Sequence, residues 1–184
     1  IDIENSWDSY VELPAEITLF QGLPKADKME LIIQKAVELG ACAIVPVITK
    51  RTIVRWDEKK QDKKLARWQG IAESAAKQSG RGIIPKVTAP VSFSAALAQA
   101  GFMEAAVIPY EKAEGTEAAR EKVRSMRGKK SIAVFIGPEG GFDTDEIEAA
   151  IKAGVCPITL GRRILRTETA GLTALSILMF ELDE

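Results

Sequence analysis

The stretch Ile132-Ala-Val-Phe-Ile-Gly-Pro-Glu-Gly-Gly141 carries an almost wholly apolar pentapeptide directly into a glycine turn. Such a run has no polar face to present to water, so it predicts a strand covered on both sides. The alternation continues downstream: a helix over Asp145 to Ala153, a strand at Pro157-Ile-Thr-Leu160 and a final helix from Ala170 to Leu182. Upstream, Glu117 to Met126 reads as a charged helix and Ala105-Ala-Val-Ile-Pro109 as a strand. Phe93 to Gln99 reads as a short helix and Ile83-Ile-Pro-Lys-Val87 as a strand. Leu65, Trp68, Ala72, Ala75, Ala76 and Ser79 define one helical face ending at Gly80, and Cys42-Ala-Ile-Val-Pro-Val47 a buried strand. Met29, Ile32, Ile33, Ala36 and Val37 recur at helical spacing after Asp27, with Gly40 placed to stop the helix. The alternation at Glu16-Ile-Thr-Leu-Phe20 reads as a first strand, broken by Gly22-Leu-Pro24. This order predicts an α/β fold, a mostly parallel sheet covered by helices on both faces.

A chain of 184 residues suits one substantial domain. With 46% hydrophobic and 28% charged residues it reads as a soluble globular protein, and no apolar run approaches membrane-spanning length. The chain opens on Ile1 and acidic and polar residues rather than a basic stretch and an apolar core, so no signal peptide is expected. Cys42 and Cys156 sit in apolar runs without C-x-x-C spacing, which fits buried, reduced thiols and a cytoplasmic location. The sequence has no histidine, which excludes a Ser-His-Asp triad, a Cys-His pair and the usual zinc ligand sets, and no metal is expected.

The net charge of −1 hides an uneven distribution. Between Lys50 and Arg81, the basic residues Lys50, Arg51, Arg55, Lys59, Lys60, Lys63, Lys64, Arg67, Lys77 and Arg81 outnumber Asp57, Glu58, Asp62 and Glu73. This stretch is either a phosphate-facing surface or a solvated helix face with its own acidic partners.

Ligands of open α/β sheets bind at the carboxyl ends of the strands. Three strand ends here carry distinctive loops: Pro109-Tyr110-Glu111, Gly137-Pro-Glu-Gly-Gly141 and Gly161 to Thr169. Gly137, Gly140 and Gly141 let backbone approach a ligand closely, and Pro138 stiffens the turn; a merely tight strand-to-helix connection would use the same residues. Neither G-x-G-x-x-G nor G-x-x-x-x-G-K-[ST] occurs. Glu139 inside the turn disfavours a phosphate guest and suits a ligand carrying positive charge, such as a sulfonium cofactor. In the last loop Arg162, Arg163 and Arg166 crowd beside Ile164 and Leu165 ahead of Thr167-Glu-Thr169. Thr167 or Thr169 can cap the final helix, with Glu168 complementing its positive end. Three arginines beside that cap point further, to phosphates or a developing oxyanion.

Taken together and in this order, Ile136-Gly-Pro-Glu-Gly-Gly141 and Leu160-Gly-Arg-Arg-Ile-Leu-Arg-Thr-Glu-Thr169 resemble the RsmE-type 16S ribosomal RNA uridine-N3 methyltransferases of the SPOUT superfamily. Lys28-Met-Glu-Leu-Ile-Ile-Gln-Lys-Ala-Val-Glu-Leu-Gly40 looks like that family's first helix. Ala76-Lys-Gln-Ser-Gly-Arg81 resembles its Glu-Gln-Cys/Ser-Gly-Arg element, with Lys77 in place of Glu. The likeness runs from Leu19 to Leu182 and implies a methyltransferase domain over residues 19–184. Residues 1–18 would be a remnant of, or linker to, the family's amino-terminal PUA-like barrel. It also implies a deep carboxy-terminal trefoil knot, which pattern reasoning alone would argue against, and a homodimer.

By resemblance, S-adenosylmethionine would be held by backbone of Ile136, Gly137, Pro138, Gly140, Gly141, Leu160, Gly161, Ile164, Leu165, Thr169 and Ala170. Ile108 and Pro109 would stand at the third loop. For methyl transfer to such a uridine, Arg166 is expected to stabilise charge developing on the uracil oxygens, and Glu168 or Glu139 to accept the proton directly or through water. Arg51, Arg55, Arg81, Arg162 and Arg163 would contact the RNA, which would be 16S RNA of the small ribosomal subunit or its precursor. Three other readings stay open: a SPOUT methyltransferase acting on another ribosomal or transfer RNA nucleotide, an α/β enzyme using a nucleotide or phosphorylated metabolite, and a non-catalytic RNA-binding module.

Overall fold

The computed structural model describes residues 11–54, 56, 61–113 and 115–183. In chain order the elements are β1 (Glu16–Gly22), α1 (Lys28–Glu38), β2 (Ala41–Ile48), α2 (Gln61–Gln78), β3 (Lys86–Val87), β4 (Val91–Ser92) and α3 (Phe93–Ala100). They continue with β5 (Ala105–Pro109), α4 (Thr116–Arg124), β6 (Ser131–Ile136), α5 (Thr144–Lys152), β7 (Cys156–Ile158) and α6 (Thr167–Leu182). The sheet runs β3-β2-β1-β6-β5-β7, with β4 pairing β2 beyond β3, and every pairing is parallel. The α/β expectation, a parallel sheet with helices on both faces, therefore holds. Residues of α1, α2, α4 and α6 pack one apolar cluster, and those of α3 and α5 a second that holds the stacked Phe20 and Phe135 rings.

Being central and covered on both sides, β1 has no solvent face. Its alternation of polar and apolar residues buries Thr18 and Gln21 along with Ile17, Leu19 and Phe20. Packing extends back to Glu12: Leu13 lies against the core, Ala15 is 4% exposed, and Leu13 leaves no room for a side chain at Gly40, where a Cβ would stand 2.5 Å from its Cδ1.

The edge strand expected at Ile83 to Val87 is shorter and interrupted. Ile83 and Ile84 are each 50% exposed, and pairing covers only Lys86–Val87 before resuming at Val91–Ser92. Between them Pro90 has no N–H to donate to a ladder. The outer edge of β3 is closed by Gln69 of α2, whose amide donates to Pro85 O (3.0 Å) and accepts from Val87 N (2.9 Å). Cys42 and Cys156 are free and only half-buried, rather than buried. Among the described residues no helix is long and apolar enough to cross a membrane.

The final helix starts three residues earlier than its apolar run suggests. Arg166 occupies the N-cap, with no side-chain capping bond, and Ala170 N donates to its carbonyl. Thr167 and Thr169 are therefore not caps. Thr167 points its hydroxyl to Gly137 O instead (2.6 Å), and the Thr169 carbonyl accepts from Thr173 Oγ1 (2.8 Å). The chain leaves β7 beside β5, and α6 then packs against α1 and β6.

Candidate active site

The carboxyl ends of β5, β6 and β7 enclose a cleft of about 780 Å³. All three predicted loops meet there. Its walls include Pro109, Ile136, Gly137, Pro138, Gly140, Gly141, Leu160, Gly161, Ile164, Leu165 and Ala170, with Glu139, Arg51, Arg162, Arg163 and Arg166. Ile108 lies fully buried in β5 beneath the cleft, while on α6 Glu168 is half-buried and Thr169 exposed, neither among its walls. Tyr110, Glu111 and Thr167 of the predicted loops also line the cleft, and Lys28, Lys112, Phe142 and Thr159 join them beyond the residues expected from sequence.

The glycine turn depends on the absence of side chains. A Cβ on Gly137 would stand 3.0 Å from the Gly141 backbone, and Gly141 takes φ +66° as its amide closes on Pro138 O (2.8 Å). Gly22 at the end of β1 is equally constrained, since a Cβ there would meet Pro138 Cδ at 2.5 Å and Pro138 N at 2.6 Å. In the sequence Gly22 reads only as a strand breaker; its partner is remote in the chain. Gly22→Ala is expected to push the turn outward, costing about 1–3 kcal/mol of stability and weakening ligand binding to the cleft. Calorimetry and thermal unfolding check this, and a variant with unchanged melting and binding would contradict the close approach.

Glu139 lines the cleft, with one carboxylate oxygen engaged by the chain itself. Its Oε1 accepts from Lys25 N (3.0 Å) and pairs with Lys28 Nζ at 3.1 Å. Burial is the largest single influence on this carboxyl and pushes its pKa up. The donated bonds from its own amide, Lys25 and Lys28 together outweigh burial and hold it below the ordinary range. Lys28 Nζ also stands 3.4 Å from Glu168 Oε2, close enough for an ion pair but without hydrogen-bond geometry, so that buried oxygen accepts no bond. Lys28 thus joins the two candidate proton acceptors. The sequence conceals this because Lys28 on α1 is remote in the chain from both carboxylates.

The structure does not support Arg81 as an RNA contact. Its side chain is 3% exposed, ion-paired with Glu12, and donates to Val37 O (3.0 Å) and Ala41 O (2.6 Å). All three of its guanidinium nitrogens donate within the chain, to Glu12 and to carbonyls flanking the α1–β2 turn. Arg51 does reach the cleft, but its guanidinium braces the glycine turn, donating to Gly140 O (2.9 Å) and pairing with Asp143. Lys50 pairs with Asp145 and Asp143, Arg67 with Glu30, and Lys77 with Glu73. Lys64 lies over the Trp56 and Trp68 rings. Much of the basic stretch is therefore satisfied within the chain. Arg55, with 57–60, lies outside the described residues.

The turn is also braced from below. Buried Glu146 accepts from Lys50 N (2.8 Å) and, in a capping box, from Asp143 N (2.9 Å), tying the loop after β2 to the start of α5. Among the described residues, the cleft-lining Lys112, Arg162, Arg163 and Arg166 have no ionic partner.

Residues 11–179 match the model of the RNA methyltransferase domain family. The chain is 40% identical over 175 residues to the Ribosomal RNA small subunit methyltransferase E of Bacillus subtilis, covering 94% of this chain and 68% of that protein. It superposes on the Neisseria gonorrhoeae Ribosomal RNA small subunit methyltransferase E, solved bound to S-adenosyl methionine, with TM-score 0.79 and 38% identity; the match covers 92% of this chain and 67% of that one. The chain thus spans about two thirds of the length of these relatives. A more distant likeness, TM-score 0.53 at 12% identity over 95% of this chain and 78% of the other, to the A. aeolicus TrmH/SpoU tRNA modifying enzyme, shows a shared fold. With a glycine turn and a cationic loop meeting in one cleft, and a match over nearly its whole length, this chain belongs to the RNA methyltransferase domain family of the small-subunit ribosomal RNA methyltransferases E.

Proposed function

We propose that this chain catalyses S-adenosylmethionine-dependent methylation of 16S ribosomal RNA, at N3 of a uridine. The observation that carries the reading is one cleft holding both a glycine turn and four cations, Lys112, Arg162, Arg163 and Arg166, that have no ionic partner among the described residues. The residues present fit the cofactor. Gly137 and Gly22 keep the turn free of side chains, Ile136, Leu160 and Leu165 supply apolar wall, and the volume lies in the usual range for ligand clefts. The cleft's cations fit the phosphates and oxygens of an RNA substrate.

When bound, the sulfonium supplies an electrophilic methyl group. N3 of the uracil gains that methyl and loses its proton, so negative charge builds on the flanking carbonyl oxygens. Arg166 is assigned to those oxygens, because a fork without other partners is free to donate to them. Glu168 is assigned to the proton: its Oε2 carries no donated bond, whereas Glu139 is held ionised by several donors and makes the poorer base.

The test is calorimetry with S-adenosylmethionine, ATP and NAD, followed by mass spectrometry of 16S RNA from small subunits incubated with the protein. Binding of S-adenosylmethionine alone, a methyl at uridine N3 and an RNA affinity that falls with salt are expected. Methylation of another nucleotide would move the substrate assignment, and RNA binding without the cofactor would end the enzymatic one.

Two structural expectations belong to the same reading. The return from β7 across the end of β5 to α6 is proposed to thread as a knot, which a crystallographic backbone trace would check. A homodimer is proposed across α6, an apolar helix that leaves Ile177 41% and Phe180 83% exposed. Light scattering should then find dimers, and Phe180→Asp should shift them toward monomers. A monomeric parent protein would overturn the interface.

A further inference from the structure

Gln21 has no solvent exposure although it sits on the central strand, between β2 and β6. Its Nε2 donates to Gly22 O and to Thr167 Oγ1, both at 2.9 Å. Thr167 Oγ1 in turn lies 2.6 Å from Gly137 O. A hydroxyl has one hydrogen, and a carbonyl oxygen can only accept, so the direction of the chain is determined: amide N–H to hydroxyl, hydroxyl to carbonyl. Gln21 must therefore present nitrogen to Thr167. Its Oε1 is left buried with no partner.

A buried acceptor without a partner costs free energy that an apolar side chain of similar size would not incur. The polar choice at position 21 is explained at its other end. The Gly137–Pro138 peptide has no N–H, so its carbonyl is the only polar handle by which that part of the turn can be oriented. Thr167 is the first residue of α6, between Arg166 and Glu168. Gly22, the other acceptor of the Gln21 amide, is the residue whose missing Cβ lets Pro138 pack against the end of β1.

We propose that Gln21 and Thr167 form a positioning relay. It holds the Gly137 carbonyl and the first turn of α6 in one fixed relation, so that the cofactor-facing turn and the Arg166–Glu168 loop move as a unit. The inference rests on the methyltransferase reading of the cleft for its functional consequence, and on the hydrogen-bond chain alone for its mechanical one. Neither residue is expected to touch the reacting atoms. The loss of the relay should therefore appear as misplacement rather than as loss of a chemical group.

The experiment compares Gln21→Met, Thr167→Val and Thr167→Ser with the parent protein. Gln21→Met removes the orphaned oxygen together with the donor, so its melting temperature should be unchanged or higher. Its affinity for S-adenosylmethionine by calorimetry should fall by about tenfold, with a lower kcat. Thr167→Val should show the same loss, and Thr167→Ser should restore both values. A purely structural role would instead lower the melting temperature of Gln21→Met and leave binding unchanged. Amide hydrogen exchange gives a readout independent of the cofactor: Gly140, Gly141 and the first turn of α6 should exchange faster in Gln21→Met and Thr167→Val. Unchanged exchange, or parental binding and turnover in both variants, overturns the relay. If the parent protein binds no S-adenosylmethionine, the methyltransferase reading fails, and the exchange rates alone decide the relay.

Discussion

Arg166→Ala is expected to lower kcat for methyl transfer to 16S RNA by about 10²- to 10³-fold, with S-adenosylmethionine affinity nearly unchanged. Truncation should spare the fold, because Arg166 starts α6 through its backbone. It takes φ −66° and ψ 155°, its carbonyl accepts from Ala170 N at 2.8 Å, and its side chain makes no capping bond. What disappears is a guanidinium in the cleft without an ionic partner among the described residues. A donor aimed at charge that develops only during reaction affects kcat far more than cofactor binding. Arg166→Lys restores the charge without the planar fork and should recover only part of the rate. Single-turnover assays with calorimetry separate the two effects, and full turnover by the alanine variant would remove Arg166 from the chemistry.

The largest stability effect is expected at Arg81. Arg81→Met keeps the volume but leaves Glu12 without its ion pair, removes the guanidinium donor to the Ala41 carbonyl and leaves the Val37 carbonyl only the Gly40 amide. Removing one partner of a buried pair costs about 3–5 kcal/mol. Glu12 keeps 19% side-chain exposure, which places the loss at the lower end, about 3 kcal/mol and roughly 10 °C in melting temperature. The effect should depend on pH. Burial, the largest single influence on Glu12, pushes its pKa up, but the hydrogen bond and charge of Arg81 with the Ile83 and Gly82 amides outweigh it, and the net shift is downward. A depressed carboxylate contributes stability above its unfolded pKa and loses it as pH falls through the folded one. Parent and variant should therefore differ most near neutral pH and converge toward about pH 3. A constant gap in thermal unfolding across that range would assign the loss to packing rather than charge.

These two arginines show where sequence reading succeeds and where it stops. Arg166 stands beside its motif partners, and the loop that carries it follows directly from a strand end, so local order sufficed to place it in the cleft. Arg81 belongs to an equally recognisable element, Ala76-Lys-Gln-Ser-Gly-Arg81, yet its partners Glu12, Val37 and Ala41 lie on three other segments. A motif shows which residue type is required, not which way its side chain faces. The basic stretch was ambiguous for the same reason: Arg51, Arg67 and Lys50 find carboxylates on α1 and at the start of α5, far along the chain.

Hydrophobic periodicity by itself determined the succession of strands and helices and the parallel, doubly covered sheet, since apolar spacing is a local property and each element must bury the face it carries. It also marked the three loops that share the sheet's carboxyl edge, because parallel strands bring all their carboxyl ends to one side. Only the tertiary structure decided what holds those loops in place: Gly22 against Pro138, Lys28 between Glu139 and Glu168, and Gln21 and Thr167 beneath Gly137. Each of these is a contact between distant segments, set by strand order and by the return of α6, and sequence spacing along a chain carries no direct record of such distances.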